Sequence, residues 1–447
     1  MNFLNPRYEI FSVECFMGNT ITKEQGENPN MNHQRLKQQL DRQYKRKLQD
    51  FSGHIGDTLK KKRLELDLTQ EKASQGVCSV SYYSKIENNR TEPSDAILRD
   101  MSDRIGVDLN AYSILDEDEN VLKEAIKAYY NDDPEYLEQL VKRLGGIECG
   151  LLRDVIELFE SRLRNDFKRS RKLLKGLLPL VGNINVLSAM AVLTAAVAHN
   201  YHLGQYREAL QLLHIMEDIN TLEPRLDIIK NFYAFLVKPS VGRAVSSIPH
   251  YCEVADGFTK YPHTARILSL KMHMVRHLAR ENKAEAEKML MCIPRDSIPS
   301  AMKNFHEALR LLCLDVENNP VKVLEERLDA SNRDIWFYRS LTLLCRKHRD
   351  DSRFRKMAVE HFHHAGEEAL LEKTLFHSLT LTDEKDLTGY LREICLPLAI
   401  DRGDAEYIGH FALRLEEMLK KNARYKEALR VMVRAREALD ELRTFRL

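Results

Sequence analysis

From Val121 to Leu447 apolar side chains recur every three to four positions, helix after helix, and no stretch alternates with the period of two that marks a strand. Two stretches are near copies. "GQYREALQLL" (Gly204–Leu213) and "ARYKEALRVM" (Ala423–Met432) share the Tyr, the Glu-Ala-Leu and the basic residue between them. Each follows another apolar helix, and weaker copies lie at Asn282–Leu290 and Asn319–Leu328. A helix, a small-residue turn and a second helix, repeated at about 34–40 residues, predict a solenoid of roughly eight or nine helical hairpins.

Residues 54–110 read differently, as a run of short helices. The first contains Ile55, Leu59 and Lys62–Arg63. "LTQEKASQGV" gives the second, with Thr69 as its N-cap. "CSVSYYSKIENN" gives the third, in which Val80, Tyr83 and Ile86 fall on one stripe expected to be buried. The fourth opens at Pro93 and a Ser94 cap and stops near Gly106. "LDEDEN" (Leu115–Asn120) reads as an acidic linker that interrupts the helical pattern. The expected organisation is a mixed segment 1–31, disordered or preceding the true start at Met17 or Met31; a basic helix 32–52; a short-helix domain 53–112; a linker 113–121; and a repeat domain 122–447.

Composition narrows the classes. The chain has 447 residues, 43% hydrophobic and 30% charged, which fits globular helices with solvated faces. The formal net charge is only +1, so attraction to nucleic acid has to be local. It is: between Arg35 and Arg63 there are ten basic residues against three acidic ones. The eight cysteines form no C-x-x-C pair and sit mostly in apolar helical runs, as expected of reduced core thiols in the cytoplasm. No apolar run approaches a membrane span, and no secretion signal opens the chain. His361 and His364 lie three apart on a helix, but without H-E-x-x-H the pattern predicts a hydrated helix end and no metal. No phosphate loop, nucleophile elbow or paired catalytic constellation occurs, so neither an enzyme nor a cofactor is expected.

The third short helix carries the candidate chemistry. A helix laid in the major groove needs small or polar side chains at its N-terminal end and apolar ones only on its opposite stripe. Ser79, Val80, Ser81 and Tyr82 occupy that end, and Lys85, one turn on, suits a guanine edge or a phosphate. Gln70 opens the preceding helix, where an N-terminus meets the DNA backbone. Lys60, Lys61, Arg63, Asn88 and Arg90 complete the expected double-stranded DNA contact set.

The same residues resemble a known family. The segment from Ile55 to Val107 is similar to a Xre/Cro-type helix-turn-helix domain: Arg63 before the first turn, "LTQ" opening the second helix, "SKIE-N" ending the third, Pro-Ser opening the fourth and "IGV" closing it. The resemblance implies an Arg63–Glu87 ion pair across helices. It also marks two departures, Asn89 where Gly is usual and Ser74 where a small apolar residue is usual. "GVCSVSYYSKIE" followed by helical repeats is similar to the RRNPP family of peptide-pheromone-responsive regulators, which join such a domain to tetratricopeptide-like (TPR-like) repeats. That resemblance implies an all-α chain: an N-terminal helix-turn-helix domain, then a right-handed helical-hairpin (TPR-like) solenoid. It implies a cytoplasmic homodimer that regulates transcription in quorum sensing, with a short signalling peptide bound on the concave face.

A peptide backbone needs fixed donors and acceptors, and an Asn amide offers both. Asn200, next to the small Ala195, Ala196 and Ala198, is the foremost peptide candidate, and members of the family commonly use an inner-helix Asn in this way. Asn231, Asn304, His306, Tyr338 and Arg339 follow. For each, the competing reading is a capping or inter-repeat hydrogen bond. Two other functions fit the same sequence: a repeat scaffold that sequesters a protein partner, and a dimeric repressor that needs no ligand.

Overall fold

A computed structural model describes Leu59, Lys60, Arg63, Leu66, residues 68–88, Thr91, Ile97, Asp100, Met101, Arg104 and residues 110–444, with short breaks at 145–149, 182–183, 218, 220, 222, 315–318 and 349–350. The expectations for 1–31, for the basic segment 32–52, for Lys61 and Arg90 and for the Pro93–Ser94 helix start lie outside the described residues. Every regular element among those described is helical.

Helix α1 (Gln70–Ser74) starts at Thr69, whose Oγ1 accepts from the Lys72 amide at 3.2 Å. Helix α2 (Val80–Glu87) starts at Ser79, whose Oγ accepts from the Tyr82 amide at 3.2 Å. Between them Gly76 has φ +83°, a left-handed conformation that glycine takes without steric cost. Leu59, Ala73, Tyr83, Ile86 and Met101 form the small core. The expected apolar stripe needs one correction: Tyr83 and Ile86 are buried, but Val80 is 43% exposed. With Ser79 as cap, Val80 is the first helical residue and lies beyond the core that Tyr83 and Ile86 enter.

A second correction concerns Leu115–Asn120. The expected break is absent, because α3 runs unbroken from Asn110 to Tyr130. The run contains no Gly or Pro to break the helix, and Glu119 pairs with Lys123 at 3.1 Å one turn on.

From α3 onward the helices pair into nine hairpins among the described residues: α3 with α4 (Pro134–Arg143), α5 (Gly150–Leu163) with α6 (Phe167–Leu177), α7 (Val186–His202) with α8 (Tyr206–Ile215), α9 (Pro224–Ser240) with α10 (Ile248–Lys260), and α11 (Thr264–Glu281) with α12 (Lys283–Met291). Then come α13 (Lys303–Cys313) with α14 (Pro320–Glu326), and α15 (Ile335–Lys347) with α16 (Ser352–His363). Next, α17 (Leu370–Thr380) pairs with α18 (Glu384–Tyr390), which continues through a π-turn at Leu391–Cys395 into α19 (Leu396–Arg402). Last is α20 (Ala405–Lys421) with α21 (Tyr425–Thr444). Pro397 sits inside the long α18–α19 run, and the π-turn just before it accommodates the missing N–H and the ring.

One device closes most of these turns. Asp132, Asn165, Gly204, Gly242, Gly403 and Ala423 all have positive φ. After each, the next amide reaches back five residues: Asp133 to Ala128, Asp166 to Ser161, Gln205 to Asn200, Arg243 to Lys238, Asp404 to Ala399 and Arg424 to Leu419, at 2.8–3.1 Å. This left-handed closure satisfies the carbonyls that a helix end leaves unpaired. Gly204 and Ala423 open the two near copies seen in the sequence, whereas Asn282 and Asn319, which open the weaker copies, have φ of −147° and −123° and lack this closure.

The first helix of each hairpin faces the inside. Tyr201 on α7 meets the ring of His273 on α11, His273 meets Trp336 on α15, and Arg339 on α15 reaches Glu406 on α20. The array also closes on itself. Arg402 Nη1 donates to the Leu203 carbonyl at 2.7 Å, Arg207 pairs with Glu441 at 2.6 Å, and Arg243 Nε donates to the Leu442 carbonyl at 2.7 Å. Gly403, at φ +70°, lies so close to Arg207 that a Cβ would stand 2.9 Å from its backbone nitrogen. Gly403→Ala is therefore expected to cost about 1–3 kcal/mol through left-handed strain and the forced displacement. A lowered thermal midpoint of the full chain checks this, and an unchanged midpoint contradicts the closure described here.

Candidate nucleic-acid interface and ligand site

Glu87 ends α2 and is almost completely buried. Its carboxylate takes the Arg63 Nε at 2.5 Å and Nη2 at 3.2 Å, and the Gln70 side-chain amide at 2.6 Å. Arg63 Nη1 donates to the Leu68 carbonyl at 2.8 Å. A buried carboxylate needs such charge-assisted partners. The cluster ties the segment before α1, the start of α1 and the end of α2 to one point. The hydrogen bond to Glu87 and that carboxylate's charge together outweigh burial and raise the Arg63 pKa.

This geometry corrects the roles expected for two residues. Arg63 is 9% exposed with its guanidinium committed to Glu87 and Leu68, so it positions α2 and is not a free DNA contact. Gln70 spends its amide N–H on Glu87. The interaction between Gln70 and Glu87 escaped the sequence reading, because it joins residues 17 apart on different helices.

With Glu87, Ile86 and Tyr83 turned inward, the opposite face of α2 is left to solvent. Ser79, Val80, Ser81, Lys85 and Asn88 are exposed, and Tyr82 is half-buried against the core. The Asn88 amide donates to the Ser84 carbonyl at 2.7 Å and so finishes the helix. Lys60 is exposed on the segment before α1.

The six ligand candidates in the repeats do not share one site. Asn304 is buried and fully used: its amide faces the Asn332 carbonyl at 2.6 Å and the Asp329 carbonyl at 3.2 Å, and its oxygen accepts from the Asp329 amide at 2.8 Å. It is an inter-hairpin bracket, not a free ligand contact. Tyr338 has no exposed surface and lies in the core between Phe337 and Phe362, so it too is withdrawn as a ligand contact. The Asn231 carbonyl oxygen faces His250 Nδ1 at 2.9 Å, while Lys238 holds His250 Nε2 at 2.6 Å. Since Lys238 donates to Nε2, the Nδ1–H donates to Asn231. His306 is buried, and burial, assisted by Arg295, lowers its pKa. Asn200 is half-buried on α7, and its side-chain amide has no hydrogen-bond partner among the described residues.

Arg339 belongs to a cluster that the sequence reading missed. Three guanidinium groups, those of Arg276, Arg280 and Arg339, converge on one oxygen of Glu406, with Arg276 at 3.6 Å and Arg339 at 3.0 Å. Arg339 also meets Glu372 at 3.4 Å, and Trp336 lies under both Arg276 and Arg339. The spacing of Arg276 and Arg280, one helical turn apart on an inner helix, was the signal available. Arg339, Glu372 and Asp404 border a narrow cleft with Tyr206 and Tyr407. Among the described residues no group of three or more His, Cys, Asp or Glu side chains is placed to hold a metal ion, and no helix is long and apolar enough to cross a membrane.

Two short helices locked across a tight turn, with one polar face outward, define a helix-turn-helix DNA-binding domain, and residues 59–111 match the helix-turn-helix family. No curated protein matches the chain. Similar solved structures include PlcR of Bacillus thuringiensis in complex with the peptide PapR7 and DNA, at 16% identity over 54% of this chain and 92% of that one, TM-score 0.33. They also include the apo form of the quorum sensor NprR from B. thuringiensis, at 12% identity over 73% of this chain and 99% of that one, TM-score 0.45.

Glu87→Ala is expected to destabilise the helix-turn-helix by about 3–5 kcal/mol, because it leaves Arg63 buried without its partner. Hydrogen exchange at the Tyr83 and Ile86 amides in the full chain reads the loss locally. Replacing Arg63 and Glu87 together with apolar residues should restore much of the protection, and equal loss in the single and double variants would refute the clamp.

Proposed function

We propose that the chain is a sequence-specific transcriptional regulator of the RRNPP type, whose repeat domain binds a short signalling peptide and couples it to DNA binding by a homodimer. The observation that carries this reading is the outward face of α2. Val80, Ser81, Lys85 and Asn88 are exposed on a helix whose other face is fixed by Glu87. Fixed orientation is what a groove-reading helix requires, since the exposed side chains have to meet base edges in one register. Ser79, Ser81, Tyr82 and Lys85 then read or flank the bases, and Lys60, Lys61 and Arg90 neutralise phosphates. Two copies would occupy half-sites about one helical turn, roughly 34 Å, apart or a multiple of that.

The peptide half of the reading is supported by the inner helices of the array. Asn200 offers a donor and an acceptor with no described partner, on a helix packed with small alanines. The array closes on itself through Arg207, Arg402 and Gly403, far apart in sequence. A ligand that prefers one curvature of such a ring shifts the population toward it, and curvature sets the spacing of two DNA-binding heads.

Tyr82→Ala or Ser81→Ala should weaken binding to a selected operator by roughly 1–3 kcal/mol and relax sequence preference at one position. Lys60→Ala should weaken binding to all sequences alike and reduce the salt slope by about one. Fluorescence anisotropy at several salt concentrations measures both. A Tyr82→Ala and Ser81→Ala pair that leaves affinity and preference untouched would remove α2 from the interface.

A further inference from the structure

Arg162 is the buried charge that the fold leaves unexplained. It lies in the last turn of the inner helix α5 and is 3% exposed. Five arginines among the described residues are buried to this degree: Arg63, Arg162, Arg266, Arg276 and Arg402. Four have polar partners. Arg63 holds Glu87, Arg276 faces Glu406, and Arg402 donates to the Leu203 carbonyl. Arg266 donates to the Tyr129 and Tyr130 carbonyls and to Asp132.

Arg162 alone has none. Its Nε and Nη1 are buried without a hydrogen-bond partner, and no carboxylate among the described residues stands within ion-pair distance. The ring of Phe167 lies 4.9 Å from its guanidinium carbon, and the Tyr129 and Tyr233 phenols stand near enough to favour its charge without hydrogen-bonding to it. The neighbouring polar groups do not compensate. His199 is engaged with Ser170 at 2.8 Å, and His202 Nδ1 donates to the Ala198 carbonyl at 2.7 Å. Burial first, and the Arg162 charge second, push both imidazoles down to about 3, so they stay neutral and offer no counter-charge.

A guanidinium does not discard its proton to escape such a site. Burying it unpaired is unfavourable, and the same fold pairs its other buried arginines with care. An anion from outside the chain would satisfy these donors. A planar guanidinium with unspent donors, beside aromatic rings and neutral imidazoles, suits the two coplanar oxygens of a carboxylate.

We propose that Arg162 is the anchor for a carboxylate of the ligand that enters the interior of the hairpin array. The remainder of that ligand rests on the peptide reading above; the anion does not. Asn200, two residues before His202 on the adjoining helix, is then placed to meet ligand amides while Arg162 takes the acid. The carboxylate is either a peptide C-terminus or an Asp or Glu side chain, and the test separates them.

The first arm uses potassium acetate against potassium chloride at matched ionic strength, with the full-length protein and its thermal midpoint as readout. Acetate should raise the wild-type midpoint and leave Arg162→Met unmoved. In chloride Arg162→Met should unfold at or above the wild-type temperature, because it removes an uncompensated charge. Arg162→Lys, which keeps the charge and loses the planar fork, should respond to acetate only weakly. The same acetate response in wild type and Arg162→Met, or no response in wild type with Arg162→Met less stable, overturns the proposal.

The second arm is affinity selection from pools of short random peptides with free C-termini, with amidated C-termini, and with amidated C-termini and no Asp or Glu. Wild type should retain the carboxylate-bearing pools about tenfold better than the pool lacking any carboxylate, roughly 1.4 kcal/mol, and Arg162→Met should erase the preference. Retention that survives amidation points to a side-chain acid, and retention lost on amidation points to the terminus. Equal retention of all pools overturns the carboxylate anchor and leaves the peptide reading standing. No retention of any pool overturns the peptide reading, and the acetate arm then decides the anion site by itself.

Discussion

Glu87 is the constraint on which the DNA-facing surface depends. A carboxylate with almost no exposure cannot stay charged without partners, and here Arg63 and Gln70 supply them from the two segments that precede α2. The consequence is geometric. Once the inner end of α2 is fixed at Glu87 and its outer end is capped by Ser79, rotation about the helix axis is no longer free. A helix of two turns is marginal by itself, so its orientation comes from these two ends and from Tyr83 and Ile86. Of its exposed side chains, Ser79 and Asn88 cap the two ends, and Val80, Ser81 and Lys85 are left to function.

The repeat domain relies on a different economy. A left-handed residue at the end of a helix turns the chain back and satisfies the last carbonyls, and it does so whether the residue is Gly, Asn, Asp or Ala. The stacked first helices then bring aromatic and charged side chains from distant hairpins together, as Tyr201, His273, Trp336 and Arg339 show. Polar groups on this inner face fall into two kinds. Asn304 is consumed by the fold and the Asn231 oxygen accepts from His250, while the Asn200 amide and Arg162 have no described hydrogen-bond partner.

Much of this was legible from residue order alone. The helical class, the capping of α1 by Thr69 and the near-identical Tyr206 and Tyr425 helix starts follow from spacing and cap chemistry, which are local. The Arg63–Glu87 expectation came through resemblance, and the geometry coincides with it. What escaped was tertiary. Val80 shares the period of Tyr83 and Ile86 yet stays outside, because burial depends on where the neighbouring helix ends. The acidic run at Leu115–Asn120 resembles a linker until its lack of helix breakers and its i,i+4 pairing are weighed. The fates of Asn304, Tyr338 and Arg162 depend on partners far away in sequence, which no local pattern contains.

The central claim is that α2 reads a DNA sequence. The most direct measurement is selection by the full-length protein from a random double-stranded DNA pool at fixed, near-physiological salt, followed by sequencing. The account predicts enrichment of a two-fold symmetric motif with half-sites about one helical turn or a multiple of it apart. Retention of DNA without any enriched sequence, or no retention at all, would contradict it.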